Sequence, residues 1–310
     1  MTFSYRRAGR VALVLAAALA ASTMLAPVRA QDARITLVQA DIQKRADLLL
    51  KGITEGGGKA KYGSVEKGEG KDGLIIKDLE VTGPDGKTVK IERIDVRDFD
   101  WDNPNEPTHM DVSIRKLVVP ASALEKEVTD LGVTSLTINA DFAYAIDDGR
   151  KTFEVSGIVI DVVELGELKL KLKLAGIASG DLKGALGGAK PGDDAATKLL
   201  AQLSLVSASI SFKDKSLTQR LIQADAKKKG ISEAEAKKKM LEDLAAQKKE
   251  AQDDATKEVI DLAVKFLNTP GVVELVASPS APANVMATFM ALMGSPGTLK
   301  QMLGLTIAVK

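Results

Sequence analysis

Apolar residues recur along this chain first at helical spacing, then at strand spacing, then at helical spacing again. Ile35, Val38, Ile42, Leu49 and Ile53 fall close to the helical repeat and predict an amphipathic helix of about 18 residues. Gly56-Gly57-Gly58 ends it. From Lys59 to Phe212 the period shortens towards two, the spacing of half-buried strands. Leu168, Leu170, Leu172 and Leu174 form one face of the clearest strand, and Lys169, Lys171 and Lys173 form the other. One buried and one wet face is the habit of antiparallel sheets. Further strands are predicted at Leu74–Val81, Val89–Val96, Met110–Val118, Leu136–Tyr144, Phe153–Val163 and Val206–Phe212. In the last, Val206, Ala208, Ile210 and Phe212 alternate with Ser207, Ser209 and Ser211. Gly83-Pro84-Asp85-Gly86 and Asp147-Asp148-Gly149 read as hairpin connections. A glycine-rich loop, Gly184–Gly192, precedes a short helix near Ala195–Leu203.

Beyond Phe212 the chain turns helical. Ser216 is placed to cap a helix that runs to Lys229 and stops at Gly230. Ser232 with Glu235 makes a capping box for a helix through much of Glu233–Lys249. Val259–Leu267 is a helical stripe ended by Asn268-Thr269-Pro270. Val272–Ala277 reads as a strand, Val285–Met293 as a helix and Leu305–Val309 as a terminal strand. The expected fold is α+β: a long, curved antiparallel meander, with an N-terminal helix and a helical C-terminal part packed on it. The corresponding segments are 31–58 for the first helix, 59–215 for the β-rich domain and 216–310 for the helical part.

The first thirty residues change the charge and the address. Arg6, Arg7 and Arg10 precede an apolar run, Val11–Ala21, and Val28-Arg29-Ala30 puts small side chains where a signal peptidase reads. Cleavage is expected after Ala30, which makes the mature protein soluble and periplasmic. The whole chain has 43 basic and 42 acidic residues, but the leader holds four arginines (Arg29 is the fourth) and no acid, leaving a net charge of −3 on the mature chain. Such a balance provides no basic footprint for nucleic acid. With no cysteine there is no disulfide frame, thiol nucleophile or lipid attachment at the leader junction. Aromatics make up only 4% of the chain, so its core is aliphatic.

Chemistry-bearing motifs are few. Gly68-Glu69-Gly70-Lys71-Asp72-Gly73 has the letters of a dinucleotide loop, yet Leu74-Ile75-Ile76 after it is a strand, where that mechanism needs a helix. No cofactor is expected. Asp98, Asp100 and Asp102 alternate like the start of a calcium loop. Asn103 then stands in place of the turn glycine and His109 in place of the bidentate glutamate, so a stiffened acidic loop is the favoured reading. Trp101 is expected to pack at the sheet end. His109 is the only histidine, and no carboxylate partner for it is evident from the sequence. No catalytic constellation emerges, and a non-enzymatic protein is expected. Lys227–Lys229 and Lys237–Lys239 are interleaved with acids and read as a solvated helical hairpin. Met286, Phe289, Met290 and Met293 form an apolar stripe at helical spacing.

The phrase Gly73-Leu-Ile-Ile-Lys-Asp-Leu-Glu-Val81, followed by Asp85-Gly-Lys-Thr-Val-Lys-Ile-Glu-Arg-Ile-Asp-Val96, resembles the strand–turn–strand pattern of AsmA/YdgA-like envelope proteins of Gram-negative bacteria. The likeness extends over Tyr62 to Ile177. It implies a lipid-transfer-like sheet around an apolar groove, and it transfers no functional residue. Those families usually keep an N-terminal membrane anchor, whereas cleavage is expected here. The leading expectation is a periplasmic protein that holds a lipid or other apolar ligand against Leu168, Leu170, Leu172 and Leu174, with Phe289 and Met290 on a covering helix. The alternative is an envelope scaffold with a filled core, whose partner would be another envelope protein.

Overall fold

The computed structural model describes residues 33–70, 72–104, 107–181, 199–294 and 296–310. The leader with its cleavage site and the Gly184–Gly192 loop lie outside them. Two compact units meet in sequence at Leu124/Glu125, inside the 59–215 stretch. Both are built from antiparallel strands that follow one another in chain order, with a helix leading the first unit and helices packed on the sheet of the second. The expected α+β meander is therefore present, although the sheet is not strongly curled within either unit.

In the first unit, α1 (Ala33–Glu55) leads into β1 (Lys59–Lys61), β2 (Ser64–Lys67), β3 (Leu74–Thr82), β4 (Thr88–Phe99) and β5 (His109–Pro120). β1 and β2 both pair with β3, which continues to β4 and β5. The glycine pattern is not followed by a helix: Gly68 N donates to Gly73 O at 2.9 Å and the chain enters β3 at Leu74. Midway along the sheet, Asp78 and Lys116 adopt the left-handed region (φ +52° and +50°), level with Glu92. The pairing skips these three residues together. Each strand therefore shifts its alternation by one, and Ile76, Ile94 and Ile114 share a face with Leu79, Ile91 and Leu117. That face is sealed: Leu79, Ile91 and Leu117 are 1%, 4% and 2% exposed. Ile42, Ala46, Leu49 and Leu50 of α1 are buried, and the helix packs on β1 to β3. Arg45 fastens it by donating to both the backbone carbonyl and the carboxylate of Asp72. Tyr62 donates to Asp47 at 3.0 Å. Burial, that hydrogen bond and the Asp47 charge push its phenol up to about 12.

The second unit holds α2 (Lys126–Thr129), β6 (Ser135–Asp147), β7 (Thr152–Val162), β8 (Gly166–Ala175) and β9 (Ser204–Asp214). Three helices follow: α3 (Leu217–Lys229), α4 (Glu233–Glu250) and α5 (Asp254–Asn268). Then come β10 (Val272–Ala277), β11 (Ala283–Asn284), α6 (Val285–Gly294), α7 (Pro296–Leu303) and β12 (Thr306–Val309). The strands run β6-β7-β8-β9-β10-β12, with β11 beside the start of β9. Of the predicted helix at Ala195–Leu203, only its end lies among the described residues, where 199–202 are helical.

The helix boundaries follow the sequence signals, with one exchange of roles. Gly230 is left-handed (φ +64°) and ends α3, while Ile231 N donates back to Ala226 O, which satisfies a terminal carbonyl. Ser232 Oγ accepts from Glu235 N at 3.2 Å. Ser216, expected to cap α3, does not: its hydroxyl donates to the Glu164 carbonyl, and Asp214 accepts from the Thr218 amide at 2.9 Å instead. An already charged acceptor serves the helix N-terminus better than a hydroxyl engaged elsewhere.

Candidate functional site

Strand alternation places Leu168, Leu170, Leu172 and Leu174 on one face of β8, and the register extends that face across the second unit. Leu170 lies opposite Ile158 of β7 and Ile210 of β9. Ile158 lies opposite Phe142 of β6, Ile210 opposite Leu275 of β10, and Leu275 opposite Ile307 of β12. Phe142, Ile158, Leu170, Ile210, Leu275 and Ile307 thus form one apolar row over six strands, a track of about 24 Å at ~4.8 Å per strand step. A parallel row holds Ile160, Leu168, Phe212 and Val273.

Exposure separates this face from that of the first unit. Leu168, Leu170, Leu172 and Leu174 are all only half-buried, and Ile210, in mid-sheet, is 39% exposed. Single part-exposed leucines are ordinary; a contiguous strip of half-buried ones with an exposed member at its centre is a less common surface. The helices cover its β9–β12 end. Phe266 of α5 meets Phe212 with ring centroids 6.4 Å apart, and Leu299 and Leu303 of α7 pack with Ala277, Ala208 and Leu205.

Where α5, α7 and β12 converge, they leave a cavity of about 220 Å³ lined by Ala255, Thr256, Glu258, Val259, Leu299, Lys300, Leu305 and Ile307. Its wall is almost wholly apolar. Lys300 Nζ and Glu258 Oε2 pair at 2.5 Å, and both side chains are about half-exposed, so charged ends meet in solvent while aliphatic stems line the cavity. Thr256 Oγ1 is committed to Asp253 at 2.7 Å. Ile307 belongs to both the cavity and the long apolar row.

Phe289 and Met290, expected on a covering helix, do lie on a helix, α6, but are 57% and 64% exposed; neither is among the residues lining the cavity. Met286 is half-buried, and the side chain of Met293 lies outside the described residues.

The acidic loop is a structural device. Asp100 is 6% exposed and accepts from the Thr108 amide (3.0 Å) and hydroxyl (2.7 Å) and from the Asn103 amide (3.1 Å). Burial pushes its carboxyl up, but hydrogen bonds from Thr108 and Asn103 outweigh it and hold the group below its ordinary value. Asp98 instead faces His109, at 3.5 Å from Nε2, so the histidine has a carboxylate neighbour that the sequence did not reveal. Among the described residues no group of three or more potential ligands gathers around one point, and the calcium-loop reading of Asp98, Asp100 and Asp102 does not fit this geometry. Thr108, His109 and Asp98 do not form a nucleophile relay either. The Thr108 hydroxyl proton is directed at Asp100, so His109 has no proton to accept from it. Trp101 packs at the sheet end as expected, 4.7 Å from Phe99, with Arg45 5.0 Å over its ring.

Because the folded-state value of Asp100 is depressed, its contribution to stability is present above the unfolded pKa of about 3.9 and lost as pH falls through the lower folded value. Asp100→Asn should therefore destabilise the first unit by roughly 2 kcal/mol at pH 7, with a smaller deficit at pH 3. Urea midpoints followed by Trp101 fluorescence check this. An equal deficit at both pH values would mean that the carboxylate charge contributes nothing.

The lysine hairpin of α3 and α4 is laced with ion pairs, Lys229–Asp225, Lys239–Glu235 and Lys238–Glu242 among them. Among the described residues, no helix is long and apolar enough to cross a membrane.

These features define an α+β protein whose C-terminal unit presents a helix-flanked, half-open apolar sheet face. A family model described as "Uncharacterized protein" matches residues 159–310, just under half of the 310-residue chain. The matched stretch contains β8 to β12 and α3 to α7, hence the cavity and the four leucines. The strand–turn–strand phrase at residues 73–96 falls outside it, so the AsmA/YdgA likeness draws no support from this match. Comparison with curated proteins finds no match.

The cavity was not legible in the sequence. Its wall is assembled from residues about 50 positions apart, and only the well-defined apolar stripe of α5 hinted that this helix covers something.

Proposed function

We propose that this is a non-enzymatic periplasmic protein that holds a lipid or other apolar ligand against the sheet face of its C-terminal unit. The observation that carries the reading is the six-strand apolar row, half-open at Ile210 and running into a cavity at Ile307. The part of this strip left open to water is unfavourable by about 25 cal/mol per Å² of apolar area, and a hydrocarbon chain covers it without demanding hydrogen bonds. The leader sequence supports the address, and the resemblance to AsmA/YdgA-like proteins agrees with lipid as the ligand class. The binding surface comprises Leu168, Leu170, Leu172 and Leu174 with Phe142, Ile158 and Ile210; Phe289 and Met290 stand outside it.

Mass spectrometry of organic extracts from mature protein, Gln31–Lys310, purified from the periplasm tests this. A lipid present at near-stoichiometric amount is expected. A clean blank from well-folded protein would favour the scaffold, with an envelope protein covering the strip instead.

A further inference from the structure

We infer that the cavity between α5, α7 and β12 receives the methyl end of a single acyl chain. The inference rests on the proposed binding function and assigns the polarity of the ligand within it. Five carbon-rich side chains, Ala255, Val259, Leu299, Leu305 and Ile307, make the wall together with the stems of Glu258 and Lys300. The polar groups at hand are already matched: Thr256 to Asp253, and Lys300 to Glu258. The interior therefore offers no charge and no free donor to a headgroup, and it complements an uncharged chain end.

Size narrows the occupant further. The 220 Å³ volume exceeds the ~150 Å³ of an engineered apolar cavity that stays dry and takes benzene. It falls short of the roughly 300–1,000 Å³ of sites that enclose a whole small molecule. A terminal segment of one chain fits, and the remainder of the ligand must lie elsewhere. Ile307 is in register with Leu275, Ile210 and Leu170, and the row first opens to solvent at Ile210, so the chain follows this row out from beneath the helices and its polar head lies towards β6. The track of about 24 Å exceeds the ~15 Å half-thickness of a bilayer core, enough for one extended chain.

The test uses palmitic acid with a photoreactive diazirine at its terminal carbon, a second form with the diazirine beside the carboxyl, and a phospholipid carrying the terminally labelled chain. Binding is measured by titration with the full mature protein, and crosslinks are mapped by peptide mass spectrometry. The terminal label, delivered by either source, is expected on peptides containing Ala255–Val259 or Leu299–Ile307, and the carboxyl-proximal label is not. The source that delivers it distinguishes a free fatty acid from a membrane lipid. Val259→Trp, at an exposed position on the rim, fills the cavity from its mouth. Each methylene kept out of water is worth about fourfold in affinity. Displacing two or three should weaken palmitic acid binding about 15–60-fold. Tight binding with terminal crosslinks elsewhere, or an unaltered Val259→Trp, overturns the cavity assignment and leaves the proposed function standing. No binding of any probe by folded protein overturns both.

Discussion

Replacing Leu170 by aspartate should leave the protein folded and remove its co-purifying lipid. Leu170 is half-buried at the centre of the row, between Ile158 and Ile210, so in the free protein a carboxylate there can rotate towards water. Beneath a hydrocarbon chain it cannot. Insertion scales put the cost of an aspartate in hydrocarbon at about 3 kcal/mol, which is roughly a 100-fold loss of affinity. The check is lipid per mole of protein in the organic extract, with circular dichroism and thermal unfolding as controls for folding. Full lipid occupancy in a normally folded Leu170→Asp variant would show that this row is not the lining. A variant that unfolds would place Leu170 in a sealed core, and Leu170→Ser, with a milder polarity change, would then decide between the two.

The second large effect is a contrast between the units. Leu79→Ala should destabilise the first unit by about 3–5 kcal/mol, the range for a leucine removed from a tight core. Leu79 is 1% exposed and lies opposite Ile91, itself paired with Leu117, so the missing atoms leave a void in a sealed face that the three paired strands cannot close. Leu170→Ala removes the same atoms from a half-exposed site and should cost roughly 1 kcal/mol. Trp101 fluorescence reports the first unit locally, since this is the only tryptophan and it packs on Phe99. Hydrogen exchange on peptides covering β8 and β9 reports the second. Two units need not unfold together, so each variant is compared on its own reporter. Equal costs at the two sites would remove the distinction between a sealed and an open face on which the functional proposal depends.

Local rules carried far in this chain because most of its strands alternate cleanly and its helices are punctuated by recognisable signals. The four leucines against three lysines of β8, the hairpin turns, the Gly230 stop and the Ser232 cap are all short-range features. They depend on side-chain period and backbone torsion, which neighbouring residues set. The capping of α3 is not a local property, because the choice between Ser216 and Asp214 depends on Glu164, 52 residues from Ser216. The shift of alternation at Asp78, Glu92 and Lys116 likewise needs three strands in register before it becomes visible.

Sequence alone determined the α+β class, the antiparallel strand run, the exclusion of disulfide and thiol chemistry, and the face on which Leu168–Leu174 lie. Only the tertiary structure decided which apolar faces are sealed. In the first unit the face shared by Leu79, Ile91 and Leu117 is sealed, with α1 on β1 to β3, whereas α5 and α7 reach only the β9–β12 end of the second and leave a cavity beside Ile307. Alternation specifies which side chains share a face; whether a helix then covers that face depends on contacts between residues far apart in the chain, which no local pattern encodes.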